Sequence, residues 1–259
     1  MCTLQMNGQS ISVVIAPECE EMETAKRIKE KFDTGVQSDV TLQFDEDGLA
    51  LISDGQMLRG DFTRMLPRLK QNNLSQELLV RTAKIKEPNG PLLAIDATAG
   101  MGEDSLLLAA AGFHVEMYER NPVIFELLSD ALRRAAEIPE LKDIVARMHV
   151  HNEDSMEAMK HFETTPDVIL LDPMFPERQK SSLVKKKLQV IQKLEMPCTD
   201  EKELVLTAMQ ARPKKLIVKR PPKGPYLAGI KPDFSNGGKA VRFDCIVSPY
   251  GRIGKFKFE

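Results

Sequence analysis

The sequence predicts an α/β fold: a doubly wound, mostly parallel sheet with a small α+β appendage at its N-terminus. Three observations carry this. Beyond Pro88-Asn89-Gly90-Pro91, a cluster that breaks regular structure, apolar runs alternate with helical stretches. Those runs are almost continuously apolar, as strands covered on both faces must be. The first of them runs through Leu92-Leu93-Ala94-Ile95-Asp96 into a small-residue turn with Gly100 and Gly102, then into Glu103-Asp104-Ser105 and an apolar helix. Such a strand, glycine loop and helix start bring backbone N–H groups close to a ligand where side chains would block approach.

Taken in order, residues 10–15 read as a strand and 18–32 as a charged amphipathic helix. Residues 40–44 and 49–52 flank Asp45-Glu46-Asp47-Gly48, a hairpin signal because glycine supplies the positive φ of such turns. Asp61 is placed to cap a helix over 62–70, and a second helical stretch covers 74–86. This divides the chain into an N-terminal α+β unit, residues 1–88, and a main unit, residues 89–259. In the main unit the expected strands are 92–96, 114–119, 146–151, 168–172 and 215–220. The expected helices are 104–111, 122–136, 155–161, 183–193 and 200–211. Asn121 is the expected cap of the helix that Pro122 opens. Residues 241–248 add a late strand, expected antiparallel at the sheet edge. Right-handed crossovers then place ligands at the carboxyl ends of the parallel strands.

The 259 residues are 42% hydrophobic and 29% charged, the balance of an ordinary globular protein. No apolar run is long enough to span a bilayer and no signal segment opens the chain, so a cytoplasmic location is expected. Cys2, Cys19, Cys198 and Cys245 are scattered, which suits free thiols in a reducing compartment rather than a disulfide framework. A net charge of −2 gives no global attraction to nucleic acid. Two stretches, 178–193 and 212–223, nevertheless contain basic residues and no acidic one. Each follows an expected strand, which favours a polyanion-binding rim over two solvated faces.

Several side chains mark the ligand edge. Asp96 closes the first strand and either caps the glycine loop or meets an amino group of a ligand; the residues leave both open. Glu103 and Asp104 suit a helix N-terminus through the dipole alone. Glu119 closes the second strand, where an acid commonly accepts both hydroxyls of a ribose, and Arg120 beside it frames the same pocket or is solvated. At the end of the third strand, Asp154 and Ser155 lie where an adenine ring sits, while Asp154 also suits a helix cap. His149 and His151 share a strand face without a third ligand nearby, so no metal is expected. These features fit a nicotinamide dinucleotide and S-adenosylmethionine equally.

Asp172-Pro173-Met174-Phe175-Pro176 decides between them. Its prolines stiffen the loop after the fourth strand, and an acid held there suits methylation of an exocyclic amine on a base. The lone pair of that amine is delocalised into the ring. Asp172, with a backbone carbonyl from Pro173 or Met174, would accept its hydrogens and restore its nucleophilicity. Phe175 would stack on the base, worth about 1–3 kcal/mol, once the base is unpaired or flipped out. A nicotinamide enzyme would leave this loop unexplained and lacks a proton donor near the fourth strand.

Asp96 to Asp104 (DATAGMGED), Glu119-Arg120-Asn121-Pro122, Leu171 to Pro176 (LDPMFP), Gln179 to Lys186 (QKSSLVKK) and Val218-Lys219-Arg220-Pro221 resemble the RsmJ family over roughly residues 90–247. These are S-adenosylmethionine-dependent guanine-N2 methyltransferases of bacterial small-subunit (16S) ribosomal RNA. The resemblance implies a Rossmann-like class I methyltransferase fold, an enzyme, and small-subunit ribosomal RNA or an assembling 30S subunit as partner. It places cofactor contacts on Glu103, Asp104, Glu119, Arg120, Asp154, Ser155 and Asp172, beside Asp96, Gly100 and Gly102. Lys180, Lys185, Lys186, Lys187, Lys219 and Arg220 would hold phosphates. The chain departs from the family at Glu103, where arginine is usual, and at Gln71-Asn72-Asn73, where a glycine- and arginine-rich stretch is expected. Alternative readings are another base or nucleic acid as acceptor, a nicotinamide-dependent oxidoreductase, and an RNA-binding module without activity.

Overall fold

The computed structural model of the protein describes residues 10–17, 22–36, 38–88, 90–173 and 201–251. Strand β1 (Ser12–Ile15), helix α1 (Met22–Phe32) and strands β2 (Val40–Asp45), β3 (Gly48–Ser53) and β4 (Gln56–Leu58) come first. They form a four-stranded sheet in that order, with β1 parallel to β2 and the other neighbours antiparallel. The alternation of Val40, Leu42 and Phe44 buries one face of β2. That face joins Ala25, Ile28 and Phe32 of α1 in one apolar cluster.

Asp61 caps a 3₁₀ turn over Phe62–Met65, accepting from the Thr63 N–H at 3.0 Å. Helices α2 (Leu66–Leu69), α3 (Gln71–Leu74) and α4 (Leu78–Ala83) follow. Residues 62–69 are thus helical as expected, a 3₁₀ turn running into α2, while the helix expected over 74–86 is reduced to α4, with Leu74 ending α3. Lys70 and Glu77 turn to extended ψ values of 134° and 129°, which ends one hydrogen-bond ladder and starts another.

Beyond residue 90 the chain then alternates as its apolar runs require. It contains β5 (Leu92–Asp96), α5 (Glu103–Ala110), β6 (Phe113–Tyr118), α6 (Pro122–Ala136), α7 (Pro139–Val145), β7 (Met148–His151), α8 (Ser155–Met159) and β8 (Val168–Leu171). After residue 200 come α9 (Glu201–Gln210), β9 (Lys215–Arg220), β10 (Phe234–Gly237) and β11 (Arg242–Val247). The seven-stranded sheet has the order β10-β11-β9-β8-β5-β6-β7. Strands β9, β8, β5, β6 and β7 are parallel, and β11 and β10 are antiparallel. The late strand was expected at the edge. It pairs antiparallel with β9, but β10 lies outside it. Three of the four β10 residues (Phe-Ser-Asn-Gly) are exposed, so no apolar alternation announces that strand.

Helix α6 ties the two sheets together. Asn121 accepts from the N–H groups of Val123 and Ile124, and Pro122 fits the first turn. Val123 and Leu127 join the N-terminal cluster, while Leu128, Ala131 and Ala135 join the cluster under the large sheet. Between these apolar faces, Glu126 is 2% exposed and receives both guanidinium nitrogens of Arg27 at 2.9 and 2.7 Å and Lys31 at 3.0 Å. Asp130 accepts the Leu49 N–H at 3.0 Å and holds Arg133 and Arg134. Among the described residues no helix is long and apolar enough to cross a membrane.

Burial works against the Glu126 carboxylate, but Arg27 and Lys31 outweigh it and hold its pKa below the ordinary 4.5. An acid with a lowered folded pKa stabilises the fold at neutral pH and loses that contribution as pH falls through its folded pKa. Glu126→Gln is expected to cost about 1–3 kcal/mol near pH 7, towards the low end because Arg27 is half in water. Thermal melts across the acid range check this: the gap between wild type and variant closes below about pH 4.5.

Candidate active site

The C-terminal ends of the parallel strands meet at one edge of the large sheet, stitched by backbone hydrogen bonds. Ala97 donates to the Leu170 carbonyl, Ala99 to Tyr118 and Glu119 to His151, at 3.0 to 3.1 Å. A cavity of about 310 Å³ opens there. The sequence-predicted residues Asp96, Gly100, Gly102, Glu103, Asp104, Glu119, Arg120, Asp154, Ser155, Asp172 and Pro173 all line it.

The two loop glycines serve different ends. Gly100 has φ +52° and open space where a Cβ would stand, so the backbone itself faces the cavity. Gly102 has φ +74°, and a Cβ there would come within 2.7 Å of Leu128 Cδ1 and 3.3 Å of Phe62. Its smallness therefore also lets the loop pack on α6 and Phe62.

Asp96 is 2% exposed, with Oδ1 accepting from the Thr98 N–H at 3.1 Å and Oδ2 from the Ser105 hydroxyl at 2.6 Å. It ties the loop to the start of α5. Burial pushes its pKa up to about 6, opposed by the Ser105 hydrogen bond. Glu119 is also buried. One of its oxygens accepts the Gly100 N–H at 3.0 Å, and the other accepts the Asn121 N–H at 2.7 Å. Besides facing the cavity, this acid clamps the glycine loop to the start of α6. Asp154 caps α8 through the Met156 N–H at 2.8 Å, so the cap reading and the cavity position hold together.

The strongest charge contact in the cavity is one the sequence placed elsewhere. Lys219 lies 2.6 Å from Asp104 and 2.9 Å from Asp172. Burial opposes its ammonium, but the two carboxylates outweigh it and raise its pKa above that of an ordinary lysine. Asp172 is pushed upward by burial and by Asp104, while Lys219 pulls it back. Its backbone N–H donates to the Thr98 hydroxyl at 2.7 Å, which fixes the chain as it leaves β8.

This corrects the rim reading for Lys219 and Arg220, while Arg212, Lys214 and Lys223 of the same stretch are exposed. Lys219 points into the cavity. Arg220 is 2% exposed, its guanidinium 4.0 Å from Glu201. Lys214 pairs with Asp167 at 2.7 Å, and Lys215 donates to the Thr82 and Lys84 carbonyls. Strands of a two-sided sheet cannot leave such charges bare, so neighbouring elements take them up. Phe175, Lys180, Lys185, Lys186 and Lys187 lie outside the described residues. Sequence reasoning missed Thr98, Tyr118 and Leu204 on the cavity wall.

His149 and His151 both contact Glu116, at 3.2 and 2.7 Å. Among the described residues no group of three or more His, Cys, Asp or Glu side chains is placed to hold a metal.

A family model described as "Putative SAM-dependent methyltransferase" matches residues 25–248. A ribosomal RNA small subunit methyltransferase J of Neisseria gonorrhoeae is 37% identical over 212 residues, which cover 81% of this chain and 83% of that protein. This chain belongs to that methyltransferase family. Its counterpart of the same name in Hahella chejuensis is 44% identical over 168 residues, 65% of this chain and 63% of that protein. The crystal structure of a SAM-dependent methyltransferase from Neisseria gonorrhoeae superposes with a TM-score of 0.73 at 28% identity. It covers 96% of this chain and all of that one.

The cofactor is therefore S-adenosylmethionine, and the cavity suits it. The open side of Gly100 admits close backbone approach. Glu119 stands where the ribose hydroxyls bind in this fold. Tyr118, Met156 and Leu204 give the cavity apolar lining. Asp104 and Asp172 bring acidic character to a ligand with a cationic sulfur and ammonium. Tyr118 stacks on His151 with centroids 5.0 Å apart, and burial raises its hydroxyl pKa to about 12, so it stays neutral.

Glu119→Ala is expected to release Gly100 and weaken S-adenosylmethionine binding by about 1–3 kcal/mol, measured by calorimetry. Gly102→Ala is expected instead to lower the thermal midpoint, by roughly 1 kcal/mol or more in stability, through its positive φ and the Leu128 contact.

Proposed function

We propose that this protein methylates the exocyclic N2 amine of a guanine in small-subunit (16S) ribosomal RNA. The observation that carries the reading is the position of Asp172: at the end of β8, on the cavity wall, with its side chain 39% exposed and Pro173 next in the chain. The names of the relatives supply the RNA. The family resemblance of the loop supplies the guanine amine.

When bound, S-adenosylmethionine supplies a methyl carbon whose bond to sulfur breaks with the electron pair left on sulfur. The residues of this chain make the acceptor ready. Asp172 accepts one amine hydrogen, which returns density to the nitrogen, and takes the proton that the nitrogen sheds on bonding to carbon. The Pro173 carbonyl is the second acceptor in this reading, and Phe175 the stacking platform. Positioning and electrostatics supply the rate, as expected where the protein forms no covalent bond to the substrate. Lys180, Lys185, Lys186 and Lys187 are proposed to hold phosphates, and Lys219 and Arg220 are withdrawn from that role. Residues 1–88 form the N-terminal unit and 89–259 the transferase unit. The enzyme acts in the cytoplasm on the RNA or on an assembling 30S subunit.

Asp172→Ala is expected to reduce transfer by about 100-fold or more while RNA binding persists. Mass spectrometry of nucleosides from small subunits of a strain lacking the enzyme, treated with either protein, reads this out. N2-methylguanosine formed by wild type alone supports the reading; a methylated adenine or cytosine replaces the substrate, and full activity of the variant ends the mechanism.

A further inference from the structure

Lys219 stands where the cofactor side and the acceptor side of the cavity meet. Leu171 pairs with Val218 in adjacent parallel strands, which brings Lys219 level with Asp172 just beyond β8. Its ammonium is 2.6 Å from Asp104 Oδ2, at the start of α5, and 2.9 Å from Asp172 Oδ2. The Lys219 side chain is 26% exposed, so water screens this arrangement far less than a surface pair. Asp96 lies behind the same carboxylates and feels both of them. Arg220, from the same strand, also favours the charged form of Asp172, but its guanidinium faces Glu201. Lys219 is thus the cation in contact with both acids among the described residues.

A lysine between two carboxylates keeps its proton and cannot be the base that collects one from the amine. It can hold the carboxylate that does. We propose that Lys219 is a positioning residue for methyl transfer, pinning Asp172 through Oδ2 to the start of the glycine-loop helix so that Oδ1 meets the acceptor amine. This rests on the reading of Asp172 as acceptor. In the step itself the amine nitrogen gains the methyl carbon and gives one proton to Asp172, which passes it to water. Lys219 keeps its three protons throughout.

The arrangement makes two substitutions act with opposite sign. Lys219 favours the ionised form of Asp172 and Asp104 disfavours it. Titration of Asp172 in the cofactor-free protein, followed by carbon-13 NMR of the aspartate carboxyls and assigned with Asp172→Asn, reads the effect without turnover. In Lys219→Met the midpoint is expected to rise by about one pH unit or more. Lys219→Arg is expected to return it towards wild type, and Asp104→Asn to lower it. A merely loosened fold does not give shifts of both signs. The acidic limb of the single-turnover rate on small ribosomal subunits should move in the same order. At saturating S-adenosylmethionine, Lys219→Met is expected to be slower by about tenfold or more, with the cofactor dissociation constant from calorimetry little changed.

An unmoved Asp172 midpoint in Lys219→Met overturns the proposal, and so does a defect carried wholly by cofactor affinity. If Lys219→Met does not fold, the double variant Asp104→Asn/Lys219→Met removes the bare like charges and is compared with Asp104→Asn alone. Full activity of Asp172→Asn overturns the acceptor reading itself. Inactive Asp172→Asn beside fully active Lys219→Met overturns only the role of Lys219.

Discussion

The site depends on a crowding of charge at one edge of a buried sheet. Asp96, Asp104 and Asp172 reach the same cavity from β5, α5 and β8, and one lysine from β9 answers two of them. Unit charges about 4 Å apart interact by roughly 4 kcal/mol at an effective dielectric of about 20, so such a cluster is neither neutral nor indifferent to its geometry. Asp96 resolves the conflict by a raised pKa and two local hydrogen bonds. Asp104 and Asp172 resolve it through Lys219. The cofactor edge is therefore held in place before any ligand arrives, which is what electrostatic preorganisation requires.

The same edge is braced from outside the sheet. Glu119 holds the Gly100 N–H with one oxygen and the first residue of the α6 cap with the other. Helix α6 then carries the N-terminal sheet on Val123 and Leu127 and the large sheet on Leu128 and Ala131. Gly102 packs on the cluster under the large sheet, since its members Leu128 and Phe62 fill the space where its Cβ would be. Packing of Phe62 and α6 and placement of the glycine loop are thus linked.

Charge pattern misled at Lys219 and Arg220. The 212–223 stretch has no acidic residue, and in sequence it looks like a surface for a polyanion. In the fold its partners come from elsewhere: Asp167 for Lys214, carbonyls at the end of α4 for Lys215, Asp104 and Asp172 for Lys219, and Glu201 close to Arg220. All of these lie outside the stretch, most of them far away along the chain. A run of one sign reports on local neighbours only, and burial is decided by distant ones.

What the chain determined by itself was local and periodic. The near-continuous apolar runs marked the five parallel strands, Asn121-Pro122 and Asp61 marked helix starts, and the glycines and strand-end acids marked the ligand edge. These signals are legible because hydrogen-bonding geometry and side-chain spacing act within a few residues. The tertiary structure decided the rest. It placed β10 outside β11, delayed the helix expected over 74–86 until Leu78, assigned Gly102 to packing as well as to the loop, and turned Lys219 inward. Each of these outcomes depends on which distant segment lies alongside, and pairing across a hundred residues is set by the shared core and not by the neighbours in sequence.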